Sequence, residues 1–87
     1  MSSSPSSRNR TLSQHVADSL NTYFRNLNGH SPPDDLYEMI IRQVEPPLLT
    51  EVLKRCDGNQ TRAAQMLGLN RATLRKKLRQ YEIRPGA

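Results

Sequence analysis

From Lys54 to Arg84 the chain carries nine Lys or Arg against two acids, whereas residues 11 to 53 carry two Arg against six Asp or Glu. The formal charge of +5 is therefore gathered in the C-terminal third, the footprint of a surface that meets phosphates. Within it, Arg71 has the donor fork that fits the O6 and N7 acceptors of guanine, while Arg75, Lys76, Lys77 and Arg79 suit phosphate oxygens. Asn59, Gln60, Thr61 and Arg62 open another short helical stretch, and the free amides of such a start form a second anion site. No chemistry of bond making is written beside them. No nucleophile with an adjacent base, no paired carboxylates and no phosphate-cradling glycine loop is present, and His15 and His30 have no companions. The single Cys56 excludes an internal disulfide, and no Cys/His spacing suits a metal. These residues predict no enzyme, no metal, no cofactor and no small-molecule ligand.

Two elements must position the basic groups. Asn59 is a good N-cap, Ala63, Ala64 and Leu67 make an inward stripe slim enough for close approach, and Gly68 supplies the left-handed residue that stops a helix. Leu69 plugs the corner and Asn70 caps a second helix whose stripe is Leu74, Leu78 and Tyr81. Two short helices joined by a three-residue turn are the layout of a helix-turn-helix, over residues 58–81. Ala72, Lys76 and Arg79 stand opposite the stripe, flanked by Thr73, Arg75 and Gln80. Residues at the N-terminal end of the second helix reach base edges in a major groove. Arg71 is thus the expected base reader, with Asn70 sharing that place while its oxygen is also wanted as a cap. Ala72 is short enough to let the helix approach the groove floor.

The remainder reads as a mount for this unit. Residues 1–10 are rich in Ser and without an apolar residue beyond Met1, so they are expected to be a disordered tail. From Thr11, the series Leu12, Val16, Leu20, Tyr23, Phe24 and Leu27 has helical spacing, with Thr11 or Ser13 to cap it and Gly29 to close it. His30-Ser31-Pro32-Pro33-Asp34-Asp35 reads as a turn followed by the start of a second helix, with Pro placed for its first turn and the acids favouring the positive end of its dipole. That helix bears Leu36, Tyr37, Ile40, Ile41 and Val44, then Leu48, Leu49, Val52, Leu53 and Cys56. Its apolar residues cover too much of the circumference for one neighbour in a chain of 87 residues, which places residues 11–57 at the centre of a dimer. Pro46 and Pro47 fall inside it, so it either kinks there or breaks near Gln43 to Glu45. Residues 82–87 are left as a tail. No segment approaches the length of a membrane span and the N-terminus lacks a secretory signal core, which predicts a protein of the cytoplasm.

The runs Gly58-Asn59-Gln60-Thr61-Arg62-Ala63-Ala64, Leu69-Asn70-Arg71 and Thr73-Leu74-Arg75-Lys76-Lys77-Leu78 resemble the DNA-binding unit of the Fis family. Tyr23-Phe24, Leu27-Asn28-Gly29, Leu36-Tyr37-Glu38 and Val44-Glu45 with Pro47-Leu48-Leu49 extend the resemblance from Leu12 to Tyr81. It implies an all-α fold of four helices per chain, in an intertwined homodimer with a C-terminal helix-turn-helix and the second helix kinked at Pro47. It also implies DNA bending, since the paired recognition helices sit closer than successive grooves of straight DNA, and readout through shape. By the same resemblance, Asn70, Arg71, Thr73 and Lys76 face the groove, and Asn59, Thr61, Arg62, Arg75 and Lys77 hold the backbone. The expected function is that of a homodimeric nucleoid protein that binds and bends double-stranded DNA and regulates transcription, with RNA polymerase as a further partner. Three features depart from the family pattern: residues 1–10 lack strand character for a recombinase-contacting hairpin, Asp57 replaces a basic turn residue, and Pro46 adds a second proline. The alternatives are a helical dimerisation protein whose basic face meets an acidic protein, and the DNA-binding domain of an enhancer-binding activator.

Overall fold

The computed structural model describes residues 5–84, with side chains from residue 11 onward. Among these residues the fold is all-α: α1 (Pro5–Asn26), α2 (Leu36–Arg55), α3 (Gln60–Leu67) and α4 (Arg71–Gln80). The chain divides after Asp34 into two compact units.

The first unit contains α1, and it starts earlier than the sequence pattern indicates. Residues 5–10 are helical rather than a tail, and residues 1–4 of that expected tail lie outside the described residues. Pro5 has a φ suited to a first helical turn and needs no amide partner there, and no helix breaker stands between it and Asn26. Thr11 and Ser13 are consequently interior to the helix, not its caps. At the other end Asn28 and Gly29 take positive φ angles of 54° and 86°, and the His30 amide donates to the Leu27 carbonyl at 3.0 Å. Leu20, Tyr23 and Leu27 are half-buried, whereas Val16 and Phe24 are exposed and Leu12 is 65% exposed. Tyr23 and Phe24 meet edge to face, with ring centroids 5.5 Å apart.

The second unit contains α2, α3 and α4. Asp34 and Asp35 form a turn and α2 begins at Leu36, so Pro32 and Pro33 precede the helix instead of filling its first turn. From there α2 is continuous through Pro46 and Pro47 to Arg55 and does not break near Gln43. Its C-terminal half supplies Leu49, Leu53 and Cys56 to a core completed by Ala63 and Ala64 of α3 and Leu74 and Leu78 of α4. Val52, Leu67, Tyr81 and Ile83 pack around that core. The methyl side chains of Ala63 and Ala64 explain how α3 fits against both α2 and α4. The N-terminal half of α2 is different: Val44 is exposed and Tyr37 is 77% exposed, and Leu48, just past the two prolines, is exposed as well.

Three helices of this unit end in the same way. After α2, the Asp57 and Gly58 amides donate to the Lys54 and Leu53 carbonyls; after α3, Gly68 and Leu69 donate to Gln65 and Ala64; after α4, Glu82 and Ile83 donate to Arg79 and Leu78. Each is a Schellman closure that satisfies carbonyls the helix leaves unpaired. The left-handed residue is Gly68 in one case, and Asp57 (φ 52°) and Glu82 (φ 56°) in the others.

Candidate nucleic-acid interface

The turn between α3 and α4 is built from main-chain requirements. Gly68 adopts φ 77°, ψ 24° at the end of α3, a conformation that costs an L side chain about 1–2 kcal/mol. Asn59 and Asn70 both cap with their side chains, Oδ1 of Asn59 accepting from the Arg62 amide at 3.1 Å and Oδ1 of Asn70 from the Thr73 amide at 2.8 Å. The predicted helix-turn-helix is therefore formed in its details, including the dual position of Asn70. Its oxygen is used by the helix, which leaves its Nδ2 hydrogens for a ligand.

Leu74 and Leu78 are buried and point α4 inward, with Tyr81 half-buried beside them. This orients the other side outward: Arg71, Ala72, Arg75, Lys76, Arg79 and Gln80 are exposed, and Thr73 is half-buried. Among the described residues, Arg71, Arg75, Lys76 and Arg79 form no ion pair, so their charge is available to a partner. Arg71 and Ala72 sit in the first turn of α4, beside the amides that the helix leaves open. At the start of α3, Asn59, Thr61 and Arg62 are exposed and Gln60 is half-buried. The side-chain Oε1 of Gln60 is buried without a hydrogen-bond partner.

Lys77, expected to meet a phosphate, is engaged within the fold in the free chain. Its Nζ lies 2.8 Å from Oε2 of Glu45, and the Tyr81 hydroxyl donates to Oε1 of the same carboxylate at 2.6 Å. These bonds join α4 to the middle of α2. Lys77 retains 28% of its side-chain exposure and Glu45 23%. The Lys77 ammonium and then the Tyr81 hydroxyl hold the Glu45 carboxyl below its ordinary value of 4.5, and the hydrogen bond to Glu45 raises the Tyr81 phenol. Neither Glu45 nor the Tyr81 hydroxyl was assigned a role from sequence. A pairing across 32 residues leaves no local spacing signal, but the wheel position of Lys77 does carry one. It lies about 40° from Tyr81 and about 60° from Leu74, on the shoulder of the inward stripe rather than opposite it.

A cleft of about 630 Å³ opens on the other shoulder of α4. Its walls include Gln60, Arg75, Arg79, Glu82 and Arg84, over a floor containing Leu78 and Ile83.

A helix whose solvent-facing basic residues are unpaired, mounted on a slim, capped partner, defines the helix-turn-helix class of regulators. Comparison with known proteins narrows this. Residues 40–81 match the family described as bacterial regulatory protein, Fis family, and residues 1–32 match the DNA-binding protein Fis N-terminal domain. A putative Fis-like DNA-binding protein of Xylella fastidiosa is 53% identical over 72 residues, covering 83% of this chain and 79% of the relative. One from Pseudomonas aeruginosa is 47% identical over 79 residues, covering 91% and 75%. The DNA-binding protein Fis of Proteus mirabilis is 51% identical over 72 residues, covering 83% and 72%. The chain belongs to the Fis family.

Proposed function

We propose that this protein binds double-stranded DNA as a homodimer, bends it, and acts as an architectural regulator of transcription in the bacterial nucleoid. The observation that carries the reading is the exposed, unpaired basic face of α4, headed by Arg71 and kept clear by Ala72. In the complex Arg71 reads a guanine edge in the major groove, with the Nδ2 of Asn70, Thr73 and Lys76 along the same face. Arg75 and Arg79 meet the phosphates of the groove wall. Asn59, Gln60, Thr61 and Arg62 meet another phosphate at the start of α3, where the amides and the helix dipole favour an anion. Lys77 joins them when a phosphate competes it away from Glu45. Family membership supports a regulator rather than an enzyme. Among the described residues no helix is long and apolar enough to cross a membrane, in keeping with a place on the nucleoid.

Pairing of two chains is supported by the apolar residues that one chain leaves in water. Leu12, Val16 and Phe24 of α1 and Tyr37, Val44 and Leu48 of α2 are exposed, while a chain of this size has few apolar residues to spare. In this reading residues 11–57 make the dimer, α2 bends at Pro46 and Pro47, and residues 58–81 bind DNA. RNA polymerase is a further partner at promoters, reached without a basic side chain at Asp57.

Electrophoretic mobility of a circularly permuted set of fragments tests the function. Mobility that varies with the position of the bound site, and affinity that falls steeply with salt, are the expected results. Uniform mobility, or binding indifferent to salt, refutes it.

A further inference from the structure

Arg84 belongs to none of the DNA-contact positions assigned above, yet it lines the same cleft as Arg75 and Arg79, which stand on the shoulder of the α4 binding face. Its place is fixed by the fold. The amide of Ile83 closes onto the Leu78 carbonyl at 2.9 Å and its side chain packs against the core, so the backbone arrives at Arg84 already anchored. Three arginines and a single acid, Glu82, thus line one cleft of about 630 Å³. Elsewhere in this unit cations near carboxylates are paired: Arg42 with Asp35 and Glu38, Lys54 with Glu51, and Lys77 with Glu45. Among the described residues Arg75, Arg79 and Arg84 are not, although Glu82 lines the same walls.

Gln60 supplies an independent indication. It is the first residue of α3, and its Oε1 is buried without a partner on one wall of this cleft. The Nε2 of the same amide is neither buried nor hydrogen-bonded among the described residues, so with Oε1 turned inward its two donors are left for a ligand. The positive end of α3 adds to the same side.

We propose that this cleft holds a backbone phosphate diester of DNA flanking the groove-bound segment, with Arg84 as its outer clamp and Gln60 and Arg75 as its inner donors. The proposal rests on the DNA-binding reading and extends the contact surface beyond α4 to the segment after it.

The test compares the full-length protein with its Arg84→Ala and Arg84→Lys variants by fluorescence anisotropy. One duplex spans only the two half-sites, and another is longer by about one helical turn, about 10 bp, at each end. The wild-type protein is expected to bind the longer duplex more tightly. Arg84→Ala removes that advantage and leaves binding to the short duplex unchanged, and Arg84→Lys keeps part of it. On the longer duplex the salt slope of Arg84→Ala falls by about 0.9 per lost contact, so its deficit shrinks about 3.5-fold per contact between about 50 and 200 mM salt. Equal affinities of wild type and Arg84→Ala on the longer duplex overturn the proposal. So does an equal loss on both duplexes, which marks a general charge effect. If the wild-type protein binds neither duplex, the DNA-binding reading fails and the proposal with it.

Discussion

Glu45→Gln separates what Glu45 does for the fold from what it does to the binding face. The substitution keeps the shape and one acceptor for the Tyr81 hydroxyl, but removes the charge that holds Lys77 at 2.8 Å. An exposed ion pair contributes about 0.2–1 kcal/mol, and a hydrogen bond to a charged group about 1.5–3 kcal/mol. With side-chain exposures of 28% and 23%, the Lys77–Glu45 pair belongs between these limits, so the expected loss is about 1–2 kcal/mol. For a chain of this size that lowers the unfolding midpoint by about 5–10 °C. The carboxyl of Glu45 is held below its ordinary 4.5 in the folded chain, so its stabilisation is present above that pH and disappears as pH falls through the lowered value. The gap between wild type and variant should therefore be full near neutrality and should close as pH falls through the lowered Glu45 value. Thermal unfolding followed by circular dichroism, at one chain concentration and several pH values, measures this. The same variant frees Lys77, so DNA affinity at low salt should rise and the salt slope steepen by about 0.9 per new contact. Equal midpoints at neutral pH, or a gap that persists undiminished in acid, would refute the assigned role of the pair.

The remaining predictions concern the helix ends and the core. Gly68→Ala should cost about 1–2 kcal/mol, measured by urea unfolding. An added Cβ meets nothing within 4 Å, so the loss comes from the φ of 77° rather than from a clash. Asp57→Gly should do the reverse and stabilise by up to about 1 kcal/mol, because Asp57 occupies the left-handed place at φ 52° without being a glycine. Asn70→Asp keeps the cap on the Thr73 amide and so should retain the unfolding midpoint, while its charge, turned toward phosphates, weakens DNA binding in an anisotropy titration. Arg71→Ala should flatten the preference among DNA sequences by about 1–3 kcal/mol in competition assays, with sedimentation unchanged from wild type. Leu74→Ala, at a fully buried position, should cost about 2–5 kcal/mol and lower the unfolding midpoint of the whole second unit.

What could be read from the sequence was local. Asn59, Gly68 and Asn70 act within three residues of themselves, and each is a residue type selected by a single backbone requirement. The alternation of Ala63, Ala64, Leu74 and Leu78 with polar residues likewise specifies inward and outward faces without knowledge of the partner helix. The start of α1 was missed because a Ser-rich run carries no apolar stripe, and Pro5, which suits a helix start, looks the same in a tail. The Pro-Pro pair at residues 32 and 33 marked the turn ahead of α2 but not the first residue of that helix, since a turn and a first helical turn share the φ that proline fixes. In the candidate interface, the type of Lys77 suggested phosphate while its angular position placed it beside the core. The Glu45 that claims it is a full helix away in sequence. Arg84 went unread because it follows the last periodic residue, and only the left-handed Glu82 and the anchored Ile83 turn that segment back into a wall.

The apolar residues left in water by a single chain bear on how such a regulator responds to its own abundance. If Leu12, Phe24, Tyr37 and Leu48 are covered only when two chains meet, then below the pairing threshold the amount of competent protein follows the square of the amount made. A doubling of synthesis would raise promoter occupancy about fourfold in that range, and only in proportion once most chains are paired. Its exposed side chains would thereby give the protein a built-in dose threshold, with no effector molecule required to set it.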